Sequence, residues 1–477
     1  MRASLRIGCA LVVGFTWATT ALGEDDEDLR ERAARIHGED IVVDGHNDIP
    51  TFILDFGFDL GMDGADPHKR GAMLHWIPVL RWFLRGVSGD ELHTDTDLRR
   101  LRAGGVDAQF FSIFVDSSYV PEDPSGSGQA RQRALDMIAA LLDQVERHPQ
   151  DLELARSAAD VRRISRDGRI AALMGLEGGH AIENDLEALR EFYDLGVRYM
   201  TLTWNNANDW ADSCYEHPHE GLTDFGRRVV REMNQLGMMV DVSHVSDATF
   251  FETLEVTSAP VMASHSAARA LVDQPRNMTD EMLRAVARSG GVVMINFQDI
   301  FVDPRKRVPW GALGYAISNL GWPDSPLSSV IDHIAHSVQV AGVDHVGLGS
   351  DFAGSIFMPE GMKDVSDFPN VTLELLKRGY SEDAIRKILG ENLLRVLAEV
   401  EAEAARLTRP PSPRSSPTRR AASRRGSRPG AAARRPDPRR SSRAARTGSG
   451  HPAGRSRGSA PRGRPGGLRG SVGSGSP

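Results

Sequence analysis

Residues 41–48 read Ile41-Val42-Val43-Asp44-Gly45-His46-Asn47-Asp48. A β-branched apolar run passes directly into a polar cluster, which is the pattern of a buried strand ending at a chemically active surface. The apolar part, Ile41–Asp44, is the first of eight such runs; the others are Ala108–Val115, Ile170–Leu176, Tyr199–Thr203, Met238–Val242, Val261–Ser264, Val292–Phe297 and His345–Gly349. Between them lie stretches with helical period and charged faces: Arg131–Glu146, Leu186–Leu195, Phe225–Leu236, Asp247–Leu254, Asp280–Ala287 and Ser328–Val340. A further helix is predicted to start at Ser381, a good N-cap, and to run to Leu389 before Gly390. Eight buried strands with helical returns predict an α/β fold, a (β/α)8 TIM-type barrel, whose active site lies at the C-terminal ends of its strands. The rival is a doubly wound open sheet. No Gly-rich phosphate loop follows the first strand, which weakens it.

The strand ends carry the chemistry. His46 and Asp48 lie two apart on an extended segment, so their side chains point the same way and can approach one cation. The third run ends in Glu177-Gly178-Gly179-His180, the fifth in Asp241-Val242-Ser243-His244, the sixth in Ser264-His265-Ser266 and the eighth in Gly349-Ser350-Asp351. Singly, each is more simply a hydrogen-bonded structural residue or a turn cap. Together, three histidines and two acids from four strand ends, with a further acid from a fifth, would converge on one mouth, and burying them without a cation would carry a large desolvation cost. Imidazole nitrogen and carboxylate oxygen are the donors of hydrolytic zinc sites, and no thiol is among them. Five ligands exceed what one tetrahedral zinc with an open position takes; they suit two ions sharing a bridging carboxylate.

Composition divides the chain into three parts. It has 477 residues, long enough to bury a large core, and a formal charge of −8. Residues 408–477 carry 18 Arg and one acid, Asp437, a net of +17; with Arg2 and Arg6 also set aside, the span 24–407 is left at −27. So acidic a body excludes a globally basic nucleic-acid-binding domain. Residues 1–23 read as a signal peptide: Arg2 and Arg6, a mostly apolar Ile7 to Leu22, and small residues before Glu24. The alternative, an uncleaved anchor, has an apolar run short for a span. Removing the leader removes Cys9 and leaves Cys214 alone, so no internal disulfide is expected. The tail, 408–477, is almost wholly Arg, Ser, Pro, Gly and Ala and is expected to be disordered. It reads as a polyanion-binding arm, as a solvated extension, or as a misread frame, and it lacks the interleaved aromatics that base stacking would need.

Taken together, Asp44-Gly45-His46-Asn47-Asp48, Glu177-Gly178-Gly179-His180, Tyr199-Met200-Thr201-Leu202-Thr203, Asp241-Val242-Ser243-His244-Val245-Ser246, Ser264-His265-Ser266, Arg276-Asn277, Gly349-Ser350-Asp351-Phe352 and Gly390-Glu391-Asn392 resemble the membrane (renal-type) dipeptidases, a zinc-dependent branch of the amidohydrolase-like barrels. The resemblance covers roughly Asp40 to Leu397. It implies that His46 and Asp48 bind one zinc and His244 and His265 the other, with Glu177 bridging. It further implies that Asp351 is the catalytic acid/base and that Arg276 binds the substrate carboxylate. The implied reaction is hydrolysis of dipeptides with a free C-terminal carboxylate by a metal-activated hydroxide. Family members commonly form homodimers, and some carry a lipid anchor; the end of this chain lacks the apolar tail that such a signal needs, so a soluble exported enzyme, periplasmic or secreted, with a small-molecule substrate is expected.

One departure stands out. The branch often has His after Thr-Leu-Thr, where it helps polarise the scissile carbonyl; this chain has Trp204. An indole can donate one hydrogen bond but accepts no proton in that role, so the metal site is expected to be intact and the substrate preference altered. His180 reads equally as a partner of the site or as a structural residue. His75, His93, His217, His219, His333, His336 and His345 have no matching position and are expected at the surface or in packing. Two alternative functions stand beside the peptidase: another metallohydrolase on the same barrel (an N-acyl-amino-acid deacylase or lactonase), or an exported polyanion-binding protein that uses its basic tail.

Overall fold

Each of the eight apolar runs overlaps a strand: β1 Val43–Asn47, β2 Ala108–Phe114, β3 Ile170–Glu177, β4 Val197–Thr201, β5 Met239–Asp241, β6 Met262–Ser266, β7 Val292–Ile295 and β8 Val346–Leu348. The computed structural model describes residues 26–65, 69–71, 86–120, 128–306, 324–354 and 357–409. These lie in the first of the chain's two units, residues 1–411. The expected leader at 1–23, His75 and the tail from 410 onward fall outside the described residues. Every strand pairs in parallel with its neighbours in sequence, and β1 pairs with β8 through Asp44 and Leu348. The ring is therefore closed, a (β/α)8 barrel, as the alternation of apolar and amphipathic segments predicts. A short extra strand, Leu152–Leu154, adds to the start of β3, with Leu152 opposite Ile170; its three residues are too brief for a periodicity to register.

All eight residues of β3 and all five of β1, β4 and β6 are buried, as expected for parallel strands covered on both faces. Alternate residues divide into two layers. Phe111, Ile113, Ala172, Met174, Met200, Val240 and Val293 pack outward with the helices, while Val43, Ala108, Phe110, Leu173, Tyr199, Met239, Met262 and Met294 fill the barrel interior. The interior cluster continues into Val161 and Ile164 of the helix Ala158–Arg166 and into Leu393, Leu397 and Val400 of the helix Asn392–Leu407. These two helices are also joined by the Ala158 amide, which donates to the Glu401 carboxylate. They cover the N-terminal end of the barrel and leave the C-terminal end as its open mouth.

The interstrand helices match the amphipathic stretches closely: Gln129–Arg147, Leu186–Leu195, Asp224–Leu236, Asp247–Val256, Asp280–Arg288 and Leu327–Ala341. Ser381 caps its helix as expected, accepting from the Ala384 amide. The stop expected at Gly390 is not made. The chain stays helical from Glu382–Arg386 through a π turn, Lys387–Glu391, into Asn392–Leu407. A Cβ on Gly390 would lie 2.4 Å from the Ile41 carbonyl oxygen and 2.7 Å from Val43 Cγ2. This glycine serves close approach to the first strand rather than chain termination.

Two buried histidines outside the mouth tie helices to neighbouring segments. His37 Nε2 meets the Gly104 carbonyl at 2.7 Å and its Nδ1 meets Thr372 Oγ1 at 2.8 Å, which pins the helix Asp26–Glu39. His333, on Leu327–Ala341, accepts from the Ala268 amide through Nδ1 at 2.9 Å. Burial pulls the His333 imidazole down to about 4. A histidine depressed in this way contributes stability that is complete above its unfolded value near ~6.5 and is lost as pH falls toward the folded value. His333→Asn keeps an acceptor and cannot be protonated. The drop in unfolding free energy between pH 7 and pH 5 should therefore be smaller in that variant by roughly 2 kcal/mol. Urea denaturation at the two pH values checks this; equal drops in both chains would refute it.

Candidate metal centre and active site

The closed ring dictates which side chains can meet. Seven register pairs hold β2 against β3, and Glu177, the last residue of β3, lies opposite Phe114 on one side and Thr201 on the other. Its carboxylate is thus delivered to the centre of the mouth. His46 Nε2 lies 3.2 Å from Glu177 Oε2, and His244 Nε2 and His265 Nε2 lie 2.9 and 3.5 Å from Glu177 Oε1. Asp48 Oδ2 lies 3.5 Å from His46 Nε2. Asp48 does so from the start of the helix Ile49–Phe56, with φ −92° and ψ 14°, rather than from an extended segment. All five side chains are buried, as are Asp351 and Arg276. Among the described residues, two groups have the compactness of a cation site: His46 with Glu177 and His265, and His46 with Asp48 and Asp351.

Each imidazole has its far nitrogen engaged. His46 Nδ1 is 2.8 Å from the Tyr199 phenol, which donates onward to the Gly45 carbonyl. His265 Nδ1 is 2.7 Å from Ser264 Oγ, which donates to Asp241 Oδ2. His244 Nδ1 is 3.1 Å from Asn205 Oδ1. Each partner spends its own proton elsewhere or has none, so the imidazole N–H is the donor in all three contacts. The Nε2 lone pairs therefore face inward. His244 Nε2 and His265 Nε2 stand 3.0 Å apart, and neither His46 Nε2 nor Asp48 Oδ1 has a hydrogen-bond partner. Lone pairs and carboxylates gathered this closely repel one another, and only a positive charge between them reverses the sign. The donor set fits a divalent cation of borderline softness.

The electrostatics follow. Burial disfavours the charged form of His46, but Tyr199, Asp48 and Glu177 outweigh it and hold the ring well above the usual imidazole range, so that a proton on His46 is the positive charge a bound cation would replace. Burial likewise opposes ionisation of Glu177, yet the charge of His46 and the close approach of His244 and His265 hold it well below the carboxylate range. Burial, with the Arg276 guanidinium, drives His244 down to about 3. Asp351 is pushed up to about 7, mainly by burial; His46 opposes this, Asp48 and Glu177 add to it, and the Asn296 amide donates to its Oδ2 at 2.9 Å.

Two buried acids hold the strand-end loops that carry these groups. Asp44 accepts from the Ser350 amide and hydroxyl and from Gln109 Nε2, and Asp241 accepts from Thr201, Ser264 and the Ser243 amide. His244, Asp351 and Ala353 have φ of 67°, 65° and 62°, a left-handed conformation that costs non-glycine residues about 1–3 kcal/mol each. Backbone and side-chain bonds over-determine them: Cys214 N to the His244 carbonyl, Asp351 N to the His46 carbonyl, and Ala353 N to Asp95. Gly354 completes the loop, where a Cβ would lie 2.0 Å from Asp48 Oδ2.

Above the cluster opens a cavity of about 570 Å³, lined by Asp48, Glu177, His244, His265, Asp351 and Arg276, and further out by Phe114, Trp204, Tyr215 and Phe301. Arg276 donates to the His265 carbonyl at 3.0 Å and to Ser266 Oγ at 3.4 Å, and its guanidinium lies 5.5 Å from the Phe301 ring centre. All seven residues singled out in the sequence meet here. His180 does not join them. Its Nε2 bonds the Val115 carbonyl at 3.0 Å, and burial pulls it down to about 4, so it is a neutral tie between the ends of β2 and β3. Sequence reasoning assigned no role to Tyr199, Asn205 or Asn296, nor to Ser112, whose hydroxyl donates to Glu177 Oε2 at 3.2 Å. The inward period of β4 marks Tyr199 as an interior tyrosine; nothing in the sequence marks the others.

Comparison with known proteins agrees with this geometry. The membrane dipeptidase family, peptidase family M19, matches residues 30–411. The probable dipeptidase PvdM from Pseudomonas aeruginosa is 25% identical with a TM-score of 0.66, over 79% of this chain and 99% of that one. A metallopeptidase from Rhodobacter sphaeroides, solved with a phosphinate mimic of the dipeptide L-Ala-D-Ala, is 29% identical with a TM-score of 0.61, over 76% and 99%. The metallopeptidase dipeptidase AC is 31% identical with a TM-score of 0.59, over 76% and 98%. No helix among the described residues is long and apolar enough to cross a membrane. With the match spanning the whole barrel and every strand-end ligand candidate gathered at its mouth, the chain belongs to the membrane dipeptidase family and is a metallodipeptidase.

Proposed function

We propose that the centre takes two zinc ions, His46 and Asp48 holding one, His244 and His265 the other, and Glu177 lying between them, and that the enzyme cleaves dipeptides bearing a free C-terminal carboxylate. The observation that carries this reading is the inward aim of three Nε2 atoms at a buried carboxylate, with each Nδ1 already committed. When bound, such a pair supplies Lewis-acid polarisation of a carbonyl and lowers the pKa of a water. Asp351, buried beside Asp48 at the mouth, is placed to take the proton of the attacking water and pass it to the departing amine. Asn296 leaves one oxygen of Asp351 for that traffic.

Arg276 supplies a planar cation on the cavity wall, suited to two-point binding of a terminal carboxylate. A cavity of about 570 Å³ matches a molecule of dipeptide size. The deacylase and lactonase readings share the same centre. Asp116 and Glu216 also line the cavity, and carboxylates there favour a substrate with a free ammonium group over an acyl chain. The phosphinate complex of the Rhodobacter relative supports including a C-terminal D-residue in the substrate panel. The leader reading of residues 1–23 supports export.

Elemental analysis of zinc-loaded protein should find two zinc per chain, and a panel of L-Xaa-D-Xaa and L-Xaa-L-Xaa dipeptides should be cleaved in preference to N-acyl amino acids and lactones. One ion per chain, or preference for the acylated panel, would displace this reading. Asp351→Asn should lower kcat by about 10²–10⁴-fold with metal content unchanged; a variant with native kcat would remove the assignment. Arg276→Ala should raise KM for dipeptides about tenfold or more while kcat falls less. An unchanged KM would take the substrate carboxylate away from Arg276.

A further inference from the structure

Trp204 stands immediately before Asn205, which engages His244 Nδ1. Its ring meets Phe114, the last residue of β2, edge to face with centres 5.0 Å apart. Both side chains are half-buried and both line the cavity. The strand order places this pair. In a ring of eight, β2 lies across the mouth from β6, and β6 leads to Arg276. Phe114, with the Trp204 ring packed on it, therefore ends the strand opposite the one that leads to Arg276, and Glu177 ends the strand beside it. A dipeptide whose carboxylate rests on Arg276 and whose peptide bond lies over Glu177 has its first residue directed at Phe114 and Trp204.

We propose that Trp204 and Phe114 form the pocket for the side chain of the N-terminal residue, and that this enzyme selects dipeptides whose first residue is bulky and apolar or aromatic. This rests on the dipeptidase reading above. An edge-to-face pair presents an apolar surface on which a phenyl or leucyl group is buried and a glycine leaves a gap. Trp204 contacts substrate rather than moving protons, since an indole accepts none. Asp116, which follows β2 on the same wall, places a carboxylate near the expected position of the free amino group.

The test uses the full zinc-loaded chain and two dipeptide series, one varying the first residue through Gly, Ala, Leu and Phe with the second constant, the other reversed. The native enzyme should prefer Phe-led over Gly-led substrates by at least about tenfold in kcat/KM. Trp204→Ala should reduce that ratio about tenfold, Trp204→Phe should restore most of it, and the series varying the second residue should keep its native order. An unchanged ratio in Trp204→Ala, or an equal disturbance of both series, overturns the proposal. Calorimetric affinities for phosphinate dipeptide mimics bearing Gly or Phe at the first position separate the two levels of inference. A Trp204-dependent preference for the Phe mimic in a protein that cleaves no dipeptide would sink the peptidase reading and keep the pocket, whereas equal affinity for both mimics in an active enzyme would sink the pocket alone.

Discussion

The carboxylate of Glu177 is approached by three imidazoles, each turning Nε2 toward it with Nδ1 engaged from behind. Such an arrangement is unfavourable in a buried place until a cation enters it, and much of the surrounding structure exists to prevent its relaxation. Tyr199, Ser264 and Asn205 fix the tautomers from behind. Asp241 fixes Ser264 in turn, and its oxygens also take the Thr201 hydroxyl and the Ser243 amide. Removing any one of these ties would let a ring rotate or a proton move inward, which would cancel the lone-pair convergence.

The backbone makes a second contribution. His244 and Asp351 both sit in left-handed conformations three residues beyond the ends of their strands, so each side chain turns back over the mouth instead of following the strand into solvent. Strain of this kind persists only where neighbours over-determine it. Here the neighbours are the amides of Cys214 and Asp351 and the Asp95 carboxylate, which holds the amide of Ala353 beyond the second site acid. The same loop needs Gly354, because its Cα lies against the carboxylates of Asp48 and Asp351. Precision at the mouth thus comes from residues that contact no substrate.

Much of this was legible beforehand. Eight β-branched runs separated by amphipathic stretches are a one-dimensional record of burial, and the closed barrel follows from it. The polar ends of β1, β3, β5, β6 and β8 pointed to His46, Asp48, Glu177, His244, His265 and Asp351, because a barrel displays whatever follows its strands. Three things were not legible. Gly390 has the sequence signature of a helix stop, yet the chain continues through a π turn, because the glycine answers to Ile41 and Val43, some 350 residues earlier. His180, next to the bridging acid in sequence, turns toward the Val115 carbonyl on a neighbouring strand. The partners of the imidazoles come from β4, the segment after it and β6, and no local pattern links Tyr199 to His46 or Asn205 to His244.

The sequence by itself determined the fold class, the end of the barrel that carries the chemistry and the identity of its chemical groups, because burial and residue type are written along the chain at short range. The tertiary structure alone decided which nitrogen of each histidine faces inward, that Asp351 is buried beside Asp48, and that Trp204 packs on Phe114. Those properties depend on contacts between residues tens to hundreds of positions apart, and on the exclusion of water from the space between them, which comes into being only when the ring of strands closes.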